Sequence, residues 1–314
     1  METMKAVRIH AYGGPEMLVY EDAPLPQPGK DEILVRVHAA AVNPVDWKIR
    51  EGHLKEMLGS RLPLIMGWDV SGTVEAVGPE VVRFKVGDEV FSRPDITRDG
   101  AYAEFIVIRE NEAAFKPQSI DHLHAAAIPL AALTACKSLF AAAKLSAGQT
   151  ILIHGAAGGV GTYAVQLAKW KGARVIATAS ERNHDYLRGL GADEVIAYQN
   201  VRFEDKVRDV DVVFDTIGGE TQARSWEVVK RGGVLVSIVA PPSREEAAAH
   251  GVRPEFVFIQ PDATELSGIA TLVDAGKLRV MVEAVVPLAE ARRAQELSQG
   301  GHTRGKIVLK VHCP

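Results

Sequence analysis

Residues 150–172 read TILIHGAAGGVGTYAVQLAKWKG. The apolar run Ile151–Ile153 has the length of a buried strand. It enters a glycine-rich turn, and the stretch behind it places Val160, Ala164 and Leu167 on one helical face. Strand, tight turn and helix in that order aim backbone N–H groups at the helix start, where an anion is favoured. Gly158 and Gly159 let those groups approach a pyrophosphate, and Gly161 lets the helix pack close against the strand. Ala157, Gly158, Gly159, Val160 and Gly161 are therefore the candidate phosphate cradle. Ala156 stands where the strict GxGxxG pattern has its first glycine, so the reading rests on the strand before and the helix after.

Downstream the same alternation continues. ARVIATAS, DEVIAY, DVVFDTIG and GVLVSIVA read as strands, with RNHDYLRGLG and ETQARSWEVVKRG as helices between them. Continuous Val/Ile/Leu strands between helices predict a parallel sheet covered on both faces. Gly172, Gly191 and Gly232 are read as helix ends. Before residue 122 the pattern differs. KAVRIHAY (5–12), EILVRVHAAAV (32–42), DVSGTVEAVG (69–78), DEVFS (88–92) and AYAEFIVI (101–108) read as short strands punctuated by Gly and Pro. That predicts a mostly β domain, in which a barrel would remove exposed edges. After a helix over 264–278, RVMVEAVVPL and GKIVLKV read as strands again. The fold class is thus α/β, with a β-rich domain at 1–121, a doubly wound dinucleotide domain inserted at 122–277, and a return to the first domain at 278–314.

Cofactor choice is expected at the end of the second strand of the inserted domain. There Ala179 and Ser180 stand in place of an acidic residue, followed by Glu181, Arg182 and Asn183. Ser180 can donate to a 2′-phosphate and Arg182 can pair with it, which predicts NADPH; Glu181 is expected to face solvent. The competing reading makes Ser180 a helix N-cap and Arg182 a solvated helix residue.

Composition narrows the function classes. Among 314 residues, 36 Lys and Arg against 40 Asp and Glu give a net charge of −4, with no broad attraction for nucleic acid or an anionic membrane. Cys136 and Cys313 are the only cysteines, too few for a disulfide framework or a Cys-rich zinc lobe. No apolar run approaches the ~20 residues of a membrane helix, and the first residues lack a signal-peptide core. The chain is expected to be cytoplasmic. His38, His154 and His184 suit packing or surface positions. His122 and His124, two residues apart on a helix, point away from each other.

The motifs NPVDWKIREG (43–52), GWDVSGTVEAVG (67–78), VGDEVF (86–91), PLAALTA (129–135), HGAAGGVG (154–161), ATASERN (177–183), DTIGG (215–219) and HTRGKIVLKV (302–311) run from end to end of the chain. In order and spacing the sequence resembles the zinc-independent quinone oxidoreductases (zeta-crystallin-like) of the medium-chain dehydrogenase/reductase superfamily. The resemblance implies a GroES-like catalytic domain, an inserted Rossmann domain and NADPH as cofactor. It places Asn43, Asp46 and Trp47 beside the nicotinamide ribose and substrate, Thr134 and Tyr198 on the cofactor, and Lys306 as a basic cofactor contact. Local alternatives remain: core packing for Trp47, a cap for Asp46, a solvated strand end for Lys306. Zinc dehydrogenases of this superfamily hold their metal with a Cys and the His of a GHE motif; the matching positions here are Asn43 and Trp68, poor zinc ligands. Many relatives carry Tyr where this chain has Trp47, and an indole does not supply a proton as a phenol can. The expected activity is zinc-independent hydride transfer from NADPH to a small quinone or enone, with no nucleic-acid or membrane partner and a homodimer implied by resemblance. The alternative is a non-catalytic NADPH-binding structural or regulatory protein.

Overall fold

The computed structural model describes residues 2–59 and 61–312. The chain divides into two compact units. One comprises the residues through Leu130 together with those from Gln260 onward, the other Ala131–Ile259.

The first unit opens with β1 (Thr3–Ile9), β2 (Val19–Pro24) and β3 (Glu32–Val42). Helices α1 (Pro44–Arg50) and α2 (Lys55–Leu58) precede β4 (Leu64–Ile65), β5 (Val70–Val77), β6 (Glu89–Ser92), β7 (Phe105–Arg109) and β8 (Ala113–Phe115). Helix α3 (His122–Ala126) follows, and α4 (Pro129–Cys136) begins at the edge of the unit. Ile33, Val35 and Val37 of β3 enter the large apolar core, as the alternation in EILVRV requires. The alternation stops at Ala39–Ala41 because both faces are covered there: Ala39 and Ala41 pack with Ala126 and Ala127 at the end of α3. Small side chains let that helix lie directly on the strand.

The second unit contains β9 (Thr150–Ile153), α5 (Gly159–Trp170), β10 (Arg174–Ala179), α6 (His184–Gly189), β11 (Glu194–Ala197), β12 (Val210–Asp215), α7 (Gly219–Ser225), β13 (Val229–Ser237), α8 (Arg244–His250) and β14 (Arg253–Phe256). Its sheet has the order β11-β10-β9-β12-β13-β14, and all the pairings are parallel. Counted from β9, this is the doubly wound 3-2-1-4-5-6 order, whose switch point lies between β9 and β12. Residues 161–168 of α5 are buried all round, not only on the face of Ala164 and Leu167, and Val160 is half-buried.

The chain then returns through α9 (Ala263–Asp274), β15 (Val282–Pro287), α10 (Ala291–Gln299) and β16 (Lys306–Lys310). Strand β16 pairs with β3, so the larger sheet of the first unit runs β15-β16-β3-β5-β6-β8, with β7 also on β3.

Two expectations need correction. The boundaries move inward from 122 and 277 to 130/131 and 259/260. Helix α9 belongs to the first unit because its Asp274 accepts from Gln118 N, Ser119 N and Ser119 Oγ at 3.2, 2.9 and 2.7 Å. Gly232 ends no helix. Helix α7 stops at Ser225, since Trp226, Val228 and Val229 are buried and Val229 already pairs with Val210. Residues 230–233 bulge from β13 before pairing resumes at Val234, and Gly232 supplies the positive φ of 79°. Cys136 is buried and takes part in no disulfide among the described residues, and Cys313 lies outside them. Among the described residues no helix is long and apolar enough to cross a membrane.

Candidate functional site

In the second unit, the glycine turn, Ser180 and Tyr198 gather on one rim of the parallel sheet. Ile153 pairs with Ala177, so the glycine turn leaves β9 beside the end of β10. Ala179 pairs with Ala197, which sets Ser180 beside Tyr198 at the ends of β10 and β11. Ligands of doubly wound sheets bind at this carboxyl rim, next to the switch point.

The turn's geometry explains its glycines unequally. Gly155 has φ +63°, a conformation that L side chains rarely adopt. A Cβ on Gly161 would lie 2.5 Å from Gly155 O and 2.6 Å from Ala156 Cα, so the helix can approach the turn only without it. Gly158 differs: it is the N-cap of α5 with an ordinary φ of −75°, and an added Cβ would meet only Gly155 O at 3.4 Å. Packing within the fold therefore does not require glycine there. The N–H groups of Gly159, Val160 and Gly161 open α5 and have no carbonyl within the helix to bond. Ala157 and Thr134 are buried, and Tyr198 is 54% exposed.

At the end of β10, Ser180 occupies the N-cap position of a short 3-10 turn, Glu181–Asn183, and its Oγ accepts from Asn183 Nδ2 at 3.0 Å. Glu181 is exposed, as expected, and so is Arg182. Beneath the rim, His154 bonds Thr178 Oγ1 and Ser225 Oγ, both at 3.0 Å. Burial pulls its pKa down to about 4, so it is a neutral packing residue. Asp215, after β12, accepts from Ile217 N, Gly218 N, Gln222 Nε2 and Ser237 Oγ at 2.8 to 3.0 Å and thereby shapes the DTIGG turn.

In the first unit, strand register builds a polar row across one end of the larger sheet. Ile307 pairs with Val42, Ala40 with Val70, Val70 with Ser92, and Ser92 with Ala113. The residues at that end of these strands are therefore Lys306, Asn43, Asp69, Arg93 and Glu112, in that order. Lys306, only 4% exposed, donates to Val42 O and Asp69 Oδ2, both at 3.1 Å, and to Asn43 Oδ1. Asn43 in turn donates from Nδ2 to Asp69 Oδ2 at 2.8 Å, and Leu130 N donates to Asp69 Oδ1 at 2.6 Å. Burial pushes the Asp69 carboxyl up; the Lys306 ammonium and the Asn43 amide oppose it.

Two expected roles change here. An ammonium has three protons, and those of Lys306 meet three internal acceptors, so it is neither a solvated strand end nor a free basic contact for a cofactor. Asp46 is 0% exposed and presents no carboxylate to a substrate. Its Oδ2 accepts from Asn43 N and Tyr102 Oη, both at 2.8 Å, and so caps α1 and holds Asn43 in place. Burial raises its pKa to about 7 and drives the Tyr102 phenol well above its ordinary value. Trp47 is half-buried with Nε1 sealed and unpartnered among the described residues, and the Lys48 ammonium lies 5.6 Å from its ring centre. Trp68 is buried, its Nε1 donating to Arg98 O at 3.1 Å. His122 turns to Ser71, Glu89 and the ring of His38, while His124 turns to Asp121, so the two diverge.

Sequence reasoning missed Asp69, Tyr102 and Arg93. The GWD motif held a signal: an acidic residue entering a strand of otherwise small and apolar residues.

Known proteins agree with this architecture. Residues 29–118 match the alcohol dehydrogenase GroES-like domain, and residues 190–309 match the zinc-binding dehydrogenase family. The chain is 34% identical to the human mitochondrial NAD(P)H oxidoreductase RTN4IP1 over 325 residues, covering 90% of this chain and 82% of that protein. It superposes on the quinone oxidoreductase of Coxiella burnetii with a TM-score of 0.94 at 36% identity, over 99% of this chain and 100% of that one. It also superposes on mycobacterial Rv1454c, solved in complex with NADPH, with a TM-score of 0.86 at 32% identity, covering 98% and 99% of the two chains. This chain is an NAD(P)H-dependent oxidoreductase and belongs to the quinone-oxidoreductase-like family of the medium-chain dehydrogenases/reductases.

Proposed function

We propose that the enzyme uses NADPH and, without zinc, reduces a small electron-poor acceptor, either a quinone or an α,β-unsaturated carbonyl compound. The observation that carries the metal-independent part is the seat of the Lys306 ammonium on Asn43 and Asp69. Asn43 stands where zinc relatives place a thiolate, and a cation already occupies its oxygen. The second position, Trp68, offers an indole with no lone pair for a metal and an N–H that is already bonded. This donor set does not fit a zinc ion.

NADPH is supported by Ser180 and Arg182 at the end of β10, where an NAD enzyme would carry a carboxylate, and by the NADPH held in the mycobacterial relative. Bound there, the cofactor would supply a hydride from its nicotinamide ring. The protein's part is placement: the amides at the start of α5 hold the diphosphate, and the row from Lys306 to Arg93 faces the acceptor. Trp47 shapes that pocket, and the reduced acceptor takes its proton from water.

A panel of quinones, enals and enones, followed by NADPH absorbance with and without EDTA, tests the reading. NADPH oxidation with at least one of these classes, unchanged by the chelator, is expected. Turnover of simple alcohols alone, lost on chelation, refutes it. Tight NADPH binding with no turnover across the panel favours a binding protein instead.

A further inference from the structure

Arg93 follows β6 at the end of the polar row and is only 2% exposed, yet among the described residues no hydrogen bond or ion pair joins its guanidinium to the protein. Its Nε and Nη1 are sealed and unpartnered. The carboxylates of Asp69, Asp95 and Glu112 offset its charge at a distance, but buried donors left without acceptors are costly, and a ligand oxygen would supply what they lack. Register sets Arg93 opposite Asp69 on one side, since Val70 pairs with Ser92, and opposite Glu112 on the other, since Ser92 pairs with Ala113. Asp69 is already satisfied by Lys306, Asn43 and Leu130. Glu112 is drawn toward Arg98 and Arg109, at 3.9 and 3.5 Å. Lys306, Asn43 and Asp69 are hydrogen-bonded and Glu112 has only these longer ion pairs, its Oε2 making no hydrogen bond; Arg93 alone in the row has neither kind of partner among the described residues.

From this we infer that Arg93 binds the acceptor's carbonyl oxygen and stabilises the negative charge that develops there. The inference rests on the reading of this row as the acceptor site. When an enone gains hydride at its β-carbon, the C=C pair moves to the Cα–C bond and the carbonyl pair moves onto oxygen, giving an enolate. In a quinone, hydride taken up at one carbonyl oxygen sends the ring electrons onto the other oxygen, which becomes a phenolate. Arg93 donates hydrogen bonds to that oxygen and keeps its own protons. Water then protonates the α-carbon of the enolate or the oxygen of the phenolate, and the oxidised nicotinamide leaves with the balancing charge. A planar guanidinium that cannot deprotonate suits this task, and donors of this kind are worth about a hundredfold in rate.

The experiment compares Arg93→Lys and Arg93→Ala with the wild-type chain, reading NADPH affinity by fluorescence and kcat/KM with a quinone and an enone. Arg93→Ala should lose about a hundredfold in kcat/KM. Its NADPH affinity should hold, Arg93→Lys should fall between, and added guanidinium should restore part of the loss in Arg93→Ala. Unchanged kinetics, or a loss shared equally with NADPH affinity and not rescued, overturns the inference. If the variants do not fold, wild-type enzyme loaded with NADP and titrated with p-nitrophenol decides. A bound phenol should ionise about one pH unit lower than in solution; an unshifted or raised ionisation overturns the assignment. That measurement needs no turnover, so it stays informative even if no acceptor in the panel is reduced and the proposed activity itself fails.

Discussion

Lys306 and Asp69 are 237 positions apart in the chain, and their charged atoms lie 3.1 Å apart at one end of a sheet. Between them sits Asn43, its oxygen on the ammonium and its nitrogen on the carboxylate. The arrangement fixes which way the amide faces, because reversing it would oppose like poles on both sides.

Removing the ammonium is therefore costly. Lys306→Met should destabilise the protein by about 3–5 kcal/mol, the usual penalty for orphaning a buried carboxylate. Adding Asp69→Asn should recover part of that loss. Urea denaturation of both variants measures it, and a single variant within about 1 kcal/mol of wild type would show that the pair is no better than a surface ion pair.

Asp46 predicts a pH dependence of definite sign. Its folded pKa, about 7, exceeds the ordinary 3.8. The folded state therefore holds the proton more tightly than the unfolded state. Its contribution to stability is greatest below pH 3.8, declines as pH rises toward 7, and is constant above that. The decline has a limiting slope of about 1.4 kcal/mol per pH unit. Asp46→Asn, which cannot ionise, should flatten the stability profile between pH 5 and 7, read from denaturation midpoints. A variant profile as steep as wild type would assign the slope elsewhere.

The glycine turn separates packing from ligand approach. Gly161→Ala places a methyl group against Gly155 and Ala156 and should cost about 1–3 kcal/mol of stability, with a clear loss of NADPH affinity. Gly158→Ala has room for its methyl in the folded protein and should keep its melting temperature while weakening NADPH. Calorimetry and fluorescence titration on the two variants distinguish these effects. Wild-type affinity in Gly158→Ala would mean that no ligand comes close to that residue.

Arg182→Ala tests the choice of cofactor. Charge-assisted hydrogen bonds to a phosphate are worth about 1.5–3 kcal/mol, so NADPH affinity should fall roughly ten- to a hundredfold while NADH affinity stays put. Equal losses for both would remove Arg182 from the 2′-phosphate.

What could be read in the chain beforehand divides along a physical line. Strand β3 spans Glu32–Val42, the same residues its alternation marks, because a half-buried strand writes its period locally. The turn at 154–161 was legible for the same reason: strand, glycines and helix are contiguous. The segment after Ser225 was misread because Glu227, Lys230 and Arg231 suit a helix as well as a strand, and only pairing with β12 decides between them. Arg93 and Asp69 lie 24 positions apart and become neighbours only through β5–β6 register. Neither a basic cofactor contact nor a solvated strand end describes Lys306, because its acceptors come from the other end of the sequence. Local period reveals elements, whereas a site assembled across strand ends depends on register, which no single segment carries.

The return of β16 to β3 has a consequence for how the molecule comes into being. During synthesis the whole of Ala131–Ile259, a contiguous unit with its own sheet, is made before Lys306. It can thus fold while Asn43 and Asp69 still wait for the ammonium that joins them. Closing the first sheet needs contacts across more than two hundred residues, the slow kind of event in folding. A nascent chain halted before residue 306 would therefore already hold every strand of the second sheet, while Asn43 and Asp69 still lacked the cation that joins them.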